Sequence, residues 1–357
     1  MKIFNRRLQQ SAIDPNLVFS ESSVPQWLRK TQDAPVWNEF FVATEGDSVR
    51  GAYALKHEQF FIRGKGVQKV ACYHHALSEG IVDKSYASVG VLLIRDALQR
   101  QPFLYALGMG GYEQPLARML KSLGFSLTLL PFFFCVLHPN KFLRQMNALR
   151  TARWRAALMD IASYSGTGWL GITAAQAMSG IRPRLDSFAV EEISEFGEWA
   201  DELWAETKQG VSLAAVRDTT SLRALYPVND TNLTKLRLKE AEKTIGWAIV
   251  GERRTDDKFG TMQVGSILDC WGSPESAAAV VRAAVQVLRK RNYDLIVSNQ
   301  AHRAWTDAFR RNGFLRGPSN FIFAASRKLT ELISPIQENH AWFHLTRADG
   351  DGLPRNF

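Results

Sequence analysis

The sequence predicts an α/β (α+β) protein of two tandem domains, each built on a mixed, mainly antiparallel sheet flanked by helices. The first observation is an internal repeat. A strand-like run, a helix, a short strand and a second helix ending in Gly-Phe occur over residues 70–125 and again over residues 262–314. This period is far too long for a solenoid, so it indicates two related domains. The second observation is the length of 357 residues, which suits two cores better than one.

Composition and charge narrow the class of protein and of partner. With 46% hydrophobic and 22% charged residues, the chain has the composition of a globular protein. The net charge of +9 favours an anionic partner such as a phosphorylated cofactor, a nucleic acid or the cytoplasmic membrane leaflet. Cys72, Cys135 and Cys270 lack metal-ligand spacing and are expected to be reduced and mostly buried. Because the chain lacks a signal-peptide core and an apolar run of about 18 residues, we expect a cytoplasmic protein.

The first domain is expected over residues 1–139 and starts with helix and loop. A helix is expected to begin near Pro25, because proline favours the first helical turn. Two hairpins are expected to follow, one of residues 40–44 with 49–55 and one of residues 60–62 with 67–77. After them we expect a helix over residues 91–99, a buried strand over 103–107, a second helix over 115–123 and a long apolar strand over 127–137.

A helical linker is expected over residues 140–185. Within it, residues 141–158 combine five basic side chains with an apolar stripe. This pattern fits a connecting helix with a solvated basic face, or an amphipathic helix lying on the inner face of the membrane.

The second domain is expected over residues 186–330. Strands are expected over residues 188–193, 236–239, 244–252, 263–269, 295–298 and 320–325. Helices are expected over residues 195–207, 212–225, 276–289 and 301–311. Residues 331–357 are expected to form a C-terminal tail.

The turn before the first long helix, residues 86–91, carries the first chemical signal. Unpaired N–H groups at the start of a helix carry its positive end and suit a pyrophosphate. Ser88 and Gly90 are small enough to let phosphates approach the main chain. The same residues also fit a plain strand–helix turn, so the order of elements around them is what favours a phosphate site.

That order resembles the GNAT (Gcn5-related N-acetyltransferase) superfamily. The family segment Leu-Glu-x-Leu-x-Val-x-Pro-x-Tyr corresponds here to residues 77–86, with the sequence LSEGIVDKSY. The family turn Arg-Gly-x-Gly-x-Gly falls on residues 87–92, where only the middle glycine, Gly90, is kept. The family motif Leu-Tyr-x-x-x-Gly-Phe falls on residues 119–125. The resemblance covers residues 37–137 and 186–326, and it implies two GNAT-like domains.

The resemblance implies transfer of an acyl group from acetyl-CoA or another acyl-CoA to a small-molecule amine. The implied CoA-binding residues are Val82, Ala87, Ser88, Val89, Gly90 and Val91. Glu79 is the expected general base, directly or through a water, and His74 and His75 are alternatives expected on opposite faces of the same strand. The family's acid tyrosine is replaced by Leu120, and Tyr112 is the candidate substitute.

The second domain lacks the middle glycine, and its matching turn contains Pro274 and Glu275. Proline removes an N–H group, and glutamate repels a phosphate. We therefore expect this domain to have lost CoA and to contribute acceptor binding. The candidate acceptor-binding residues are His74 from the first domain and Asp269, Trp271, Asn299 and His302 from the second. By family analogy, the acceptor is a sugar amine or another small amine of envelope or polysaccharide metabolism.

Two alternatives stay open. The tandem arrangement is also similar to the FemX-like aminoacyl transferases, whose aminoacyl-tRNA substrate suits a basic protein. In that case the CoA-type turn has no clear use. The other alternative is a degenerate pair without activity that serves as a binding module, with residues 141–158 against the membrane.

Overall fold

The computed structural model describes residues 1–10, 18–147, 163, 167–177, 188–253 and 259–350. Two mixed sheets flanked by helices make up this part of the chain, which confirms the predicted fold class. Most of the predicted basic segment, residues 148–158, lies outside the described residues. Of its described members, Lys141 donates to Asp294 at 2.5 Å and Arg144 donates to Ser163 at 3.1 Å. Lys141 therefore ties the linker to the second half, and Arg144 joins two parts of the linker to each other.

The first half begins with a helix and continues with a three-stranded antiparallel meander. Its elements are α1 (Lys2–Gln10), β1 (Trp37–Glu45), β2 (Ser48–Ile62), β3 (Gly66–Ser78), α2 (Val89–Arg100), β4 (Leu104–Gly108), α3 (Pro115–Ser122), β5 (Ser126–Leu129), β6 (Phe132–Val136), α4 (Pro139–Gln145) and α5 (Thr167–Ala177). Since β2 is one strand of 15 residues, the two predicted hairpins form a single meander. The polar centre of β2 stays buried because Lys56 and Glu58 pair with each other at 3.0 Å.

The segment before β1 is irregular, and the helix predicted near Pro25 is wrong. Leu28 takes a φ of 53°, outside the helical range, and is buried against the core. Its carbonyl accepts the N–H of Asn38 at 2.7 Å. Attachment to β1 therefore overrides the local preference for a helix.

The second half contains a second sheet and the remaining helices. Its elements are β7 (Phe188–Ile193), α6 (Trp199–Thr207), β8 (Leu213–Ala215), α7 (Thr219–Leu225), β9 (Leu233–Glu240), β10 (Lys243–Arg253), β11 (Val264–Gly272), α8 (Ala277–Lys290), β12 (Leu295–Asn299), α9 (Arg303–Arg311), β13 (Leu315–Gly317), β14 (Ile322–Ala325), α10 (Arg327–Ile333), α11 (Ile336–Asn339) and β15 (Phe343–His344). The predicted helix over residues 212–225 is wrong in its first part, because β8 pairs with β2 there. The helix starts only at Asp218, whose carboxylate accepts the N–H of Ser221 at 2.8 Å.

The two halves of the chain exchange strands between the sheets. β6 leaves the first sheet and pairs with β12 and β13 of the second. In return, β14 lies in the first sheet between β4 and β5. The single strand predicted over residues 127–137 is therefore wrong, since it breaks at Leu130 and Pro131. Proline has no N–H group for a sheet ladder, so Pro131 suits the point where the chain crosses.

This exchange bears on the predicted domain boundaries. Residues 132–136 belong to the first half along the chain but to the second sheet in space, and residues 322–325 show the converse. The predicted tail, as far as it is described, adds β15 to the first sheet beside β8. Each sheet is thus built from discontinuous segments.

Apolar side chains fill the interior on both sides of each sheet. The clusters that matter for the site are the layer between β2–β4 and helices α2 and α3, and the layer under β15 and α10. The three cysteines are buried thiols, as expected. Among the helices of the described ranges, none combines the length and the apolarity that crossing a bilayer requires.

Candidate functional site

The first sheet opens between the C-terminal ends of β3 and β4. Described pairing between these parallel strands ends at Cys72 and Tyr105. Beyond that point β3 continues along β2 as far as Ser78, and β4 continues along β14 to its last residue. The two strands therefore diverge and leave a wedge, which we call the β3–β4 opening.

A β-bulge bends β3 at this opening. Pairing with β2 steps from His74–Ala54 to Leu77–Ala52, so two residues of β3 oppose one of β2. His75, inside the bulge, takes a φ of 48°. The rings of His74 and His75 lie 5.1 Å apart, too close for opposite faces of the strand. The predicted alternation of these two side chains is therefore wrong, because it assumed a regular strand.

His74 is buried at the edge of the opening, with 6% of its surface exposed. Its Nε2 lies 3.3 Å from the side-chain oxygen of Asn38. The amide nitrogen of Asn38 donates to the carbonyl of Trp27 at 3.3 Å, which turns the amide oxygen toward the imidazole. Nε2 is therefore the nitrogen that carries the proton. In this tautomer the second ring nitrogen, Nδ1, carries a lone pair.

Tyr73 precedes His74 and packs on the other face of the sheet, in the layer under α2 and α3. It is 2% exposed, and its hydroxyl has no hydrogen-bond partner among the described residues. Burial raises the pKa of Tyr73, so the hydroxyl keeps its proton. A buried donor without a partner is uncommon and calls for an explanation. We did not predict Tyr73, although its place beside the histidine pair was a signal for it.

Two short 3-10 turns, Glu79–Ile81 and Lys84–Tyr86, join β3 to α2. The two turns pack against each other at Gly80, where a Cβ atom would lie 2.6 Å from the carbonyl oxygen of Tyr86. Asp83 closes the second turn by accepting the N–H of Ser85 at 2.9 Å. Gly80 therefore sets the shape of the turn, a role that we did not predict.

The predicted CoA-binding residues lie at and just before the start of α2. Val82 and Ala87 end the two 3-10 turns, and Ser88 precedes the helix without a side-chain cap. Within the described residues, no backbone oxygen accepts from the N–H groups of Val89, Gly90 and Val91. A Cβ atom at Gly90 would meet no atom closer than Met119 Sδ at 3.6 Å. Three N–H groups at the positive end of a 12-residue helix thus suit a pyrophosphate.

Glu79 is held by two guanidinium groups. It is 4% exposed, and its carboxylate pairs with Arg7 at 2.7 Å and with Arg50 at 2.8 Å. This arrangement anchors α1 and β2 to the end of β3. It fits a structural anchor better than the predicted general base, because both carboxylate oxygens are engaged. Tyr112, the predicted acid, is 43% exposed on the loop after β4.

The acceptor-binding residues predicted in the second half are buried. Asp269, Trp271, Asn299 and His302 are each at most 2% exposed. They lie where β11 and β12 diverge in the same way as β3 and β4, after the pair Ser266–Val297. The segment 343–350 fills this second opening.

Hydrogen bonds fix that segment in place. His344 Nε2 donates to the carbonyl of Cys270 at 2.8 Å, and Arg347 donates to the side-chain oxygen of Asn299 at 2.8 Å. His302 Nε2 donates to the carbonyl of Gly210 at 3.3 Å, and burial lowers the pKa of His302 to about 4. The indole of Trp271 meets the ring of His344 edge to face, with ring centroids 4.6 Å apart.

Asp269 belongs to a buried ionic cluster. Arg217 pairs with Asp269 at 3.0 Å and with Asp349 at 2.7 Å. The hydroxyl of Tyr226 donates to Asp269 at 2.7 Å, and that of Thr346 donates at 3.2 Å. The four side chains predicted in the second half thus lie close together, and they contact other residues of the protein. Their expected role in acceptor binding is corrected, because these side chains present no surface.

Comparison with known proteins bears on the fold. No family model and no curated protein sequence matches the chain. Among solved structures, a GCN5-related N-acetyltransferase from Anabaena variabilis matches with a TM-score of 0.52 and 12% identity, covering 90% of this chain and 69% of that one. Saccharomyces cerevisiae N-myristoyltransferase with bound myristoyl-CoA matches with a TM-score of 0.51 and 9% identity, covering 78% of this chain and 66% of that one. At such identities the likeness establishes the fold, and the activity must be argued from the site.

Proposed function

We propose that this chain, which has the GNAT fold, transfers an acyl group from an acyl-CoA to an amine in the β3–β4 opening. The observation that carries the proposal is the contrast between the halves. The first sheet has an opening beside a bulge and a helix start with available N–H groups. The corresponding opening of the second sheet is filled by residues 343–350. We therefore propose an acyl-CoA site in the first half.

The start of α2 would bind the pyrophosphate of the acyl-CoA. The N–H groups of Val89, Gly90 and Val91 are the donors, and Ser88 adds a hydroxyl at the same end. The pantetheine arm would lie in the β3–β4 opening, where the diverging backbones can hydrogen-bond its amides. The thioester would then lie at the bulge.

Acyl transfer there needs one proton acceptor and one proton donor. The amine nitrogen attacks the thioester carbonyl carbon, the new C–N bond replaces the C–S bond, and CoA leaves as a thiolate. Nδ1 of His74 accepts the proton that the amine loses, and the hydroxyl of Tyr73 gives a proton to the sulfur. Backbone N–H groups of the bulge would stabilise the charge that develops on the carbonyl oxygen. Exchange with solvent restores both side chains.

The finer identity of the substrates is proposed from the fold. Acetyl-CoA is the acyl donor that we propose, and a small amine such as a sugar amine is the acceptor. The donors at the start of α2 would bind the CoA moiety, which every acyl-CoA shares. Calorimetric titration with acetyl-CoA and with longer acyl-CoAs therefore tests first whether the site binds CoA, and then which acyl group it prefers.

A pair of substitutions at Gly90 tests the binding site. Gly90→Phe is expected to weaken acetyl-CoA binding by at least tenfold, because its ring would cover the N–H groups of the helix start. Gly90→Ala is the matched control: the space around Gly90 accepts a Cβ, so the fold stays intact with a gain of up to about 1 kcal/mol. Unchanged affinity in Gly90→Phe would reject the helix start as the pyrophosphate site.

Tyr73→Phe tests the chemistry without disturbing the fold. Because no described residue binds the hydroxyl, its removal is expected to leave the free energy of unfolding unchanged or slightly higher. Turnover is expected to fall by about 10²-fold, with acyl-CoA affinity unchanged. Tyr112→Phe is the control, since Tyr112 lies on an exposed loop. A parent-like turnover in Tyr73→Phe, or a larger loss in Tyr112→Phe, would remove Tyr73 as the acid.

A further inference from the structure

A cavity lies at the crossing of the two sheets, outside the β3–β4 opening. It forms where β5 and β6 part at Leu130 and Pro131, and its volume is about 720 Å³. Apolar side chains form its floor: Leu129, Leu130, Pro131, Phe133, Phe314 and Leu315. Leu129 remains 40% exposed at the surface of this floor. Leu130, Phe133 and Phe314 are at most 2% exposed, so the floor is a mainly buried apolar surface with Leu129 at its edge. A cavity with such a floor is a candidate binding site.

The rim of the cavity is basic. Arg303 and Arg310 lie seven residues apart on one side of α9, and Arg316 and His340 border the same cavity from β13 and from the turn after α11. All four side chains are exposed. None of the described residues that line the cavity is acidic. Asp307 of α9 forms an ion pair with Arg310 at 3.9 Å, which is too long for a hydrogen bond. We call this cavity, with its floor and its four basic residues, the basic groove.

The basic groove lies two strands away from the end of β4. Leu129 of β5 pairs with Ile322 of β14, and Ile322 pairs with Gly108 of β4. Adjacent strands lie about 4.8 Å apart, so the two ends are separated by about 10 Å. The connecting loop touches both sites: the carbonyl of Phe321 accepts the N–H of Leu130 at 2.8 Å, and the Phe321 ring lies against Gly108.

We propose that the basic groove binds the acceptor of acyl transfer, and that this acceptor is an anionic amphiphile. Its apolar chain lies on the floor, its phosphate lies among the arginines of the rim, and its amine reaches the end of β4 about 10 Å away. Guanidinium groups bind phosphates through paired hydrogen bonds, and the apolar floor adds the affinity that a free phosphate lacks. The binding of an anionic amphiphile stands on the groove alone, whereas its role as acceptor rests on the proposed function.

Calorimetry with three probes tests the binding. Dodecyl phosphate below its micelle concentration is expected to bind at least tenfold more tightly than dodecyl maltoside or inorganic phosphate. Equal affinity for the maltoside would show an uncharged apolar site, and equal affinity for inorganic phosphate would show a plain anion site. Either result overturns the proposal.

Substitution locates the site. The double variant Arg303→Ala with Arg310→Ala is expected to weaken dodecyl phosphate binding at least tenfold. Arg327→Ala is the matched control, because Arg327 is an exposed arginine on α10, with 85% of its side chain accessible. Parent-like affinity in the double variant would overturn the assignment to this groove.

An activity measurement tests the acceptor role. With acetyl-CoA and 12-aminododecyl phosphate, CoA release is expected to show a KM raised at least tenfold in the double arginine variant, with kcat within about threefold of the parent. The same amine without a phosphate, 12-aminododecan-1-ol, is expected to be a poor acceptor in both proteins. Equal use of the two amines would overturn the acceptor role.

Failure of the proposed function has a different signature. Gly90→Phe is expected to lose acetyl-CoA binding and to keep dodecyl phosphate binding. If the parent protein binds dodecyl phosphate and no acyl-CoA, then the proposed function fails and the groove stands as a lipid-binding site. If it binds acyl-CoA and not dodecyl phosphate, then the groove proposal fails alone.

Discussion

His302 offers a direct test of whether the second half is core or substrate cleft. Its imidazole is 1% exposed and donates to the carbonyl of Gly210. Burial is the main cause that lowers the pKa of His302 to about 4, and the positive charge of Arg63 acts in the same direction. In the unfolded chain the pKa returns to about 6.5. Folding must therefore exclude a proton from His302 whenever the pH lies below about 6.5.

The size of the effect follows from the two pKa values. Above about pH 6.5, His302 is neutral in both states and the free energy of unfolding keeps its full value. As the pH falls toward 4, the unfolded state binds more protons than the folded state, so the free energy of unfolding decreases. Lowering the pH from about 7.5 to about 5.0 is expected to remove about 2 kcal/mol from the free energy of unfolding through this residue. His344, whose pKa burial also lowers, adds a loss of the same sign. The comparison with a variant isolates His302.

Urea unfolding at the two pH values measures this. His302→Gln keeps an N–H donor for Gly210 and cannot titrate, so its stability is expected to fall by about 2 kcal/mol less than that of the parent. His340→Gln, at an exposed histidine, is the control for the loss of a histidine elsewhere in the chain. If His302→Gln loses as much stability as the parent, the imidazole is solvated, and a substrate cleft in the second half becomes tenable again.

Three further substitutions test other parts of the argument. Gly80→Ala is expected to lower the free energy of unfolding by about 2 kcal/mol and to weaken acetyl-CoA binding, because its Cβ would overlap the backbone of Tyr86; parent-like values in urea unfolding and calorimetry would contradict this. Glu79→Gln is expected to cost about 2 kcal/mol of stability with kcat changed less than threefold; a large loss of kcat at unchanged stability would restore Glu79 as general base. Arg217→Met is expected to cost at least about 3 kcal/mol and to raise hydrogen exchange in residues 343–350, because it leaves two carboxylates buried without their partner; retained protection there would show that apolar contacts alone hold the segment.

The sequence predicted most elements of the fold because their patterns are local. Helix α3, for example, is predicted from its periodicity and from Gly124, which stops the helix and takes a φ of 84°. The strand exchange could not be predicted, because β6 and β14 satisfy the same apolar pattern in either sheet. The continuity of β2 was missed for a related reason. Lys56 and Glu58 interrupt the apolar pattern, and only their ion pair and the contact of Lys56 with the carbonyl of Asp349 explain their burial.

The candidate site was predictable to the level of the turn and not to that of the chemistry. The start of α2 was found because a helix start after a strand is a local feature. Tyr73 and His74 depend on the bulge, which arises from pairing between strands and leaves little trace in one sequence. The residues predicted in the second half failed because residues 343–350, distant in sequence, occupy the place where a ligand was expected.

The exchange of β6 and β14 also governs how the protein is made. When the first half leaves the ribosome, β4 and β5 lack the strand that lies between them, because residues 322–325 are translated near the end of the chain. Two unpaired backbone edges then persist through translation of the second half, and such edges invite aggregation. Nascent chains stalled before residue 322 should be digested readily by protease, and neither half expressed alone should complete its sheet.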